Sequence, residues 1–201
     1  MEILRSTDYK SMPWKNGKGK TVEIAVFPTG ASIDNFDWRI STAIVAESGP
    51  FSTFKDIDRT LYVLTGDGIV LSVEGKEDVE LSSKSTPHAF PGDVATSARL
   101  LGGEVTDFNV MTNRKRSFHR VTPVSVEGEF TIRAEAPLTF IFAASGHVVE
   151  TTSAKLNYLD GLVLRPGQLV ALRSKQRAPV LQIEIFDRCT DGVALTTPTR
   201  A

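Results

Sequence analysis

One cysteine, Cys189, stands among the 201 residues, so no intrachain disulfide can form and no thiolate cluster can hold a metal. Such a chain suits a reducing compartment. Long hydrophobic runs are missing as well. Nothing approaches the roughly 20 apolar residues of a membrane helix, and the opening MEILRSTDYKSMPWKNGKGK is too polar for a secretory signal. Neither sign of charge prevails: 23 Lys and Arg face 24 Asp and Glu, which leaves no broad positive field for a nucleic-acid backbone. These absences set the expectation of a soluble, cytoplasmic protein whose partners include neither membrane nor nucleic acid. Global disorder is excluded by the 41% of hydrophobic residues, enough for a packed core.

Helical periodicity is almost absent too. Apolar runs are short, alternate with polar residues and end at Gly, Pro, Asn or Asp, which is the pattern of strands. The spacing predicts strands at Thr21–Phe27, Trp38–Ala46, Thr60–Leu64, Gly68–Val73, Asp93–Thr96 and Glu104–Val110. Further ones are Arg120–Val126, Leu138–Ala143, His147–Glu150, Leu162–Leu164, Leu169–Leu172 and Val180–Asp187. Two stretches echo each other. Leu61 to Gly68 followed by Phe90-Pro91-Gly92-Asp93 is matched by Thr139 to His147 followed by Arg165-Pro166-Gly167-Gln168. Each has a strand, a Gly-containing turn, a second strand and then a Pro-Gly turn, with Gly serving the positive φ of tight turns. The layout resembles the cupin pattern. Duplication implies an all-β bicupin, two small antiparallel β-barrels or jelly rolls packed together, the alternative being one larger sandwich with no internal repeat. The polar break Asn113-Arg114-Lys115-Arg116 divides the chain into residues 1–115, with a ligand pocket, and residues 116–201, without one.

Metal and nucleophile chemistry find little support. Metal-dependent cupins carry closely spaced His residues and a Glu, yet the corresponding stretch Gly49 to Tyr62 has no His, and Arg59 stands near the place of the Glu. A guanidinium offers a cation no lone pair but fits a carboxylate. His88, His119 and His147 lie far apart, without partners at ligand spacing. Gly17-Lys18-Gly19-Lys20-Thr21 lacks the spacing of a phosphate loop and leads into a strand rather than a helix. No metal and no cofactor is therefore expected.

The densest unusual chemistry lies in four blocks: Pro13 to Ile24, Phe36 to Ala43, Gly49 to Phe54 with Asp58-Arg59, and Asp107 to Met111. In this order they resemble the HutD/Ves family. The resemblance implies a metal-free bicupin, linked in part to bacterial histidine utilisation, acting as a small-molecule-binding accessory or regulatory protein rather than a catalyst. Urocanate or formylglutamate is the ligand class so implied. The chain departs from the glycine-rich form of the first block by placing Lys18 between Gly17 and Gly19.

The residues themselves suggest an anion pocket, with alternatives beside each. In Trp38 to Ala43, either Arg39 and Ser41 point into the barrel or Trp38 and Ile40 do. Arg59 either clamps a ligand carboxylate or pairs with Asp58 or Asp56. Lys15, Asn16 and Gly17 either orient a polar ligand or form a plain turn. His88 either lines the pocket or sits in a partly exposed turn. Phe51 and Phe108, with Trp14 and Phe54, are candidate walls. Asp107 and Asn109 share a strand face and require partners, which Arg39 or Arg59 can supply. Two rival readings remain: a metal-independent isomerase or hydrolase with Glu23, Asp107 or His88 as base, and a homodimerising interaction protein that pairs through a barrel edge.

Overall fold

The structure, a computed structural model, describes residues 1–14 and 19–188. Those residues form strands, turns and a 3-10 turn at Ser6–Asp8, with no α-helix among them. The first eleven strands are β1 (Glu2–Leu4), β2 (Lys10–Pro13), β3 (Gly19–Phe27), β4 (Trp38–Val45), β5 (Gly49–Pro50), β6 (Ile57–Thr65), β7 (Ile69–Val73), β8 (Val79–Leu81), β9 (His88–Pro91), β10 (Thr96–Leu100) and β11 (Val105–Asn113). The remaining six are β12 (Ser117–Arg133), β13 (Leu138–Ala143), β14 (Val149–Glu150), β15 (Lys155–Leu156), β16 (Gly161–Leu164) and β17 (Leu169–Asp187). The chain is all-β. It divides into two compact units, residues 10–118 and residues 1–9 with 119–188.

Within residues 10–118, one sheet has the order β2-β3-β4-β11-β6-β9 and the other β5-β10-β7-β8. Period-two alternation buries Ile69, Leu71 and Val73 of β7 against Leu61 and Val63 of β6, so the two sheets share a core. The central strands β4 and β11 are buried along nearly their whole length. Polar side chains on those strands are therefore interior groups. The β6–β7 turn requires glycine: Gly66 and Gly68 have φ of 95° and 106°, and a Cβ on Gly66 would lie 2.6 Å from the Glu104 carbonyl oxygen.

The second unit has the order β1-β16-β13-β17-β14-β15, with β12 also pairing β17. Its core holds Ile141, Leu156, Leu162, Leu164, Leu172 and Val180.

Three features differ from the sequence expectation. Residues 1–9 belong with the second unit rather than the first, because β1 pairs antiparallel with β16 and Arg5 bridges to Asp160 at 2.8 Å. The strands expected at Leu169–Leu172 and Val180–Asp187 are one strand, β17, which runs through the polar residues 173–177 and Pro179 without a turn. Asp93 to Ala95 form a turn, not a strand. The Gly92 amide bonds to the Ile57 carbonyl and the Gly92 carbonyl accepts from Phe54, which moves the strands to β9 and β10. Cys189 lies outside the described residues.

Candidate functional site

Three neighbouring strands place the polar groups. β11 pairs with β4 on one side and β6 on the other, so Arg39, Met111 and Arg59 form one cross-strand row. The next rows are Ser41-Asn109-Leu61 and Ala43-Asp107-Val63. Partners opposite each other on a ladder project to the same face. Arg39, Ser41, Arg59, Asp107 and Asn109 thus converge, whereas Trp38, Ile40, Thr42 and Phe108 occupy the opposite face. The convergent face lines a cavity of about 650 Å³, walled by Met12, Pro13, Trp14, Phe51 and Phe54.

Arg59 is a buried cation in this cavity, enclosed by aromatic rings. It is 7% exposed, and its guanidinium carbon sits 5.3, 5.6 and 5.0 Å from the ring centres of Phe51, Phe54 and Phe90. Nε and Nη2 donate to Asn109 Oδ1 at 3.3 and 2.9 Å, and Nη1 donates to the Ser52 carbonyl at 3.4 Å. These bonds engage three of the five N–H groups. Among the described residues no carboxylate lies within ion-pair distance of it. Pairing with Asp58 or Asp56 does not occur, because Arg114 holds Asp58 at 3.0 Å and Lys115 holds Asp56 at 2.7 Å. Burial pushes the Arg59 guanidinium down to about 10, with Asp107 opposing and Arg39 adding to that shift, so it stays charged at neutral pH.

Arg39 has its own anion. Its Nε donates to Glu23 Oε2 at 2.8 Å, and Nη1 lies 3.5 Å from Ser41 Oγ. Glu23 is thereby committed as a counterion rather than left as an unassigned base. Asp107 makes no direct ion pair with either arginine among the described residues. Asn109 stands between them, accepting from Arg59 on Oδ1 and donating from Nδ2 to Asp107 Oδ1 at 3.1 Å. Burial raises the Asp107 carboxyl to about 6, against the Asn109 hydrogen bond, the charge of Arg59 and a backbone hydrogen bond at Ala43.

Two candidates fall outside this grouping. Phe108 does not line the cavity, because strand alternation turns it away from its neighbours Asp107 and Asn109 into the buried opposite face. His88 is also absent from the lining. It lies on the outer strand β9, opposite Leu61, and stacks on Phe90 with centroids 6.4 Å apart. Burial, helped by Lys76, lowers its pKa. Lys15, Asn16 and Gly17 lie outside the described residues. Phe90 and Ser52, which hold Arg59, carry no such role in the sequence pattern: Phe90 arrives by the pairing of β9 with β6, and Ser52 contributes a backbone carbonyl, which no side-chain pattern reports. Asn109 was legible as a polar neighbour of Asp107, but not as the link between two charges.

Among the described residues no group of His, Cys, Asp or Glu is arranged to hold a metal ion, and no helix is long and apolar enough to cross a membrane.

A family model described as HutD matches residues 6–181 of this chain. An uncharacterized 21.2 kDa protein in the hutC 3' region of Pseudomonas putida is 40% identical over 188 residues, 94% of each chain. The structure of HutD from Pseudomonas fluorescens SBW25, in a formate condition, has a TM-score of 0.79 at 33% identity, covering 94% of this chain and 99% of that one. YhhW from Escherichia coli, at 10% identity and a TM-score of 0.62 over 91% of this chain and 96% of its own, shares the fold alone. The cupin-like, all-β fold expected from the sequence is thus the observed one.

Proposed function

This chain belongs to the HutD family, and from that premise we propose that it binds a small carboxylate as a cytoplasmic accessory or regulatory protein, using the cavity of residues 10–118. One observation carries the reading. Arg59 is a buried cation whose N–H fork is only partly engaged, and no carboxylate among the described residues touches it directly, Asp107 reaching it only through the Asn109 amide. Holding such a charge without a direct partner in a low-dielectric site costs several kcal/mol. A ligand carboxylate meeting the fork in bidentate fashion removes that cost. The phenylalanine rings on the cation hold its plane and exclude water, while Trp14 and Met12 offer apolar wall to the rest of the ligand.

Histidine-pathway acids are the ligands we favour, urocanate and N-formylglutamate first. The hutC 3' location of the Pseudomonas putida relative supports that choice. A cavity of about 650 Å³ accommodates molecules of this size.

The test is a thermal-shift and calorimetric series with N-formylglutamate, urocanate, glutamate and formate. A ligand that binds only the folded state raises the melting temperature with saturation. The Arg59→Ala variant is expected to lose more than about tenfold in affinity, roughly 1.5–3 kcal/mol. Arg59→Lys, which keeps the charge but not the fork, falls in between. Binding that is unchanged in Arg59→Ala, or a wild-type protein that binds none of the four acids, defeats the reading.

A further inference from the structure

Among the described residues, the charged side chains at the cavity sum to zero. Arg39 of β4, Arg59 of β6 and Asp107 of β11 line it, and Glu23 of β3 stands behind Arg39. Arg39 and Glu23 neutralise each other at 2.8 Å. That leaves Arg59 and Asp107, joined through the Asn109 amide. His88 on β9 stands off the lining. Among the described residues, then, one cation and one anion remain, and both are buried.

A ligand carboxylate on Arg59 upsets this equality. Two carboxylates would share one buried guanidinium, and such a pair sheds its repulsion by taking a proton. Asp107 is the site of that proton. It is 2% exposed, and the groups that hydrogen-bond it, the Asn109 amide and the backbone at Ala43, are neutral. Burial already lifts its carboxyl to about 6, whereas a free acid of the ligand class ionises near 4.

We infer that binding of an anionic ligand at Arg59 takes up one proton from solvent and that Asp107 carries it. This rests on the carboxylate reading of Arg59 given above. Affinity then falls as pH rises, because Asp107 must be reprotonated from an ever lower proton activity before the anion can settle. Protonated Asp107 also becomes a donor facing the cavity, so a ligand with a second acceptor oxygen gains a bond there.

The experiment is calorimetry with N-formyl-L-glutamate at about pH 7.5, in phosphate and in Tris, whose different ionisation enthalpies report the protons exchanged. Wild type is expected to take up close to one proton per ligand, and its affinity to drop about tenfold per pH unit between about pH 6.5 and 8. Asp107→Asn, which mimics the protonated group, is expected to show near-zero uptake and a flat affinity over that range. Binding by wild type without proton uptake, or the same uptake in Asp107→Asn, overturns the inference and leaves the Arg59 reading standing. Failure of N-formyl-L-glutamate, urocanate and formate to bind wild type at any pH removes both. If Asp107→Asn does not fold, the wild-type series still decides: a flat affinity is a refutation.

Discussion

Asp107 ties stability to pH as well as binding. The folded protein holds its proton to about pH 6, while an unfolded chain releases it near 3.8. Between those values the native state binds more protons than the unfolded one, so stability falls as pH rises through this window and is level above it. Asp107→Asn is expected to abolish that slope. Urea midpoints of both proteins from about pH 4.5 to 7.5 give the check, and parallel curves would contradict it. How far this site was legible follows from particular residues. Alternation in Asp107-Phe108-Asn109 put the two polar groups on one face, as the structure has them. It could not say whether Arg39 or Trp38 pointed inward, because each face of that strand mixes polar and apolar residues; only the register against β11 decides. Phe108 is not part of the wall, because a residue adjacent to Asp107 in a strand faces the opposite side. Of the aromatic contacts of Arg59, Phe51 and Phe54 come from the segment just before β6, whereas Phe90 arrives from β9 across the sheet, at a separation that no local pattern encodes.

At the level of elements, β16 shows how a short strand is fixed by one small residue. Gly161 pairs with Phe142 of β13 and with Leu4 of β1, and a Cβ on it would lie 2.5 Å from the Phe142 ring. That ring is fully buried and cannot swing aside without disturbing the core. Gly161→Ala is expected to cost about 1–3 kcal/mol by overpacking, read as a lower urea midpoint at unchanged slope. A midpoint equal to wild type would mean that the ring relaxes freely. Strands of this kind were readable in the sequence where apolar residues alternate or cluster, as in β4, β7, β11 and β13. β1 and β2 were not. Their residues are too few and too polar, and they become strands only because a neighbour's open edge offers hydrogen bonds. The length of β17 was hidden for the opposite reason, since its polar middle reads as a break when only apolar runs are counted.

For the molecule as a whole, the informative segment is residues 1–9, which precede one unit in sequence and complete the other in structure. β1 extends the sheet along β16 with Glu2, Ile3 and Leu4 opposite Val163, Leu162 and Gly161. Beyond it, Asp160 is a carboxylate only 3% exposed that accepts from Arg5 Nη1 and from the Ser6 amide, each at 2.8 Å, and Tyr9 Oη donates to the Leu159 carbonyl. Burial alone would raise the Asp160 pKa, but these bonds from Ser6 and Arg5, with one from Asn157, outweigh it and hold the carboxyl below its ordinary range. Deleting residues 1–9 would strip the buried carboxylate of two donors and bare the edge of β16. The expected loss is on the order of 3 kcal/mol for the unit of residues 119–188, with hydrogen-exchange protection falling first at Gly161 to Leu164. The lining of the cavity lies wholly between Met12 and Met111, outside the deleted segment. Affinity for N-formylglutamate in the truncated protein, measured where it remains folded, is therefore expected to match the full chain within about twofold, roughly 0.4 kcal/mol. Stability within about 0.5 kcal/mol of the full chain would show the strap to be ornamental. Lost affinity with the fold intact would show that the cavity's properties reach beyond the residues that line it.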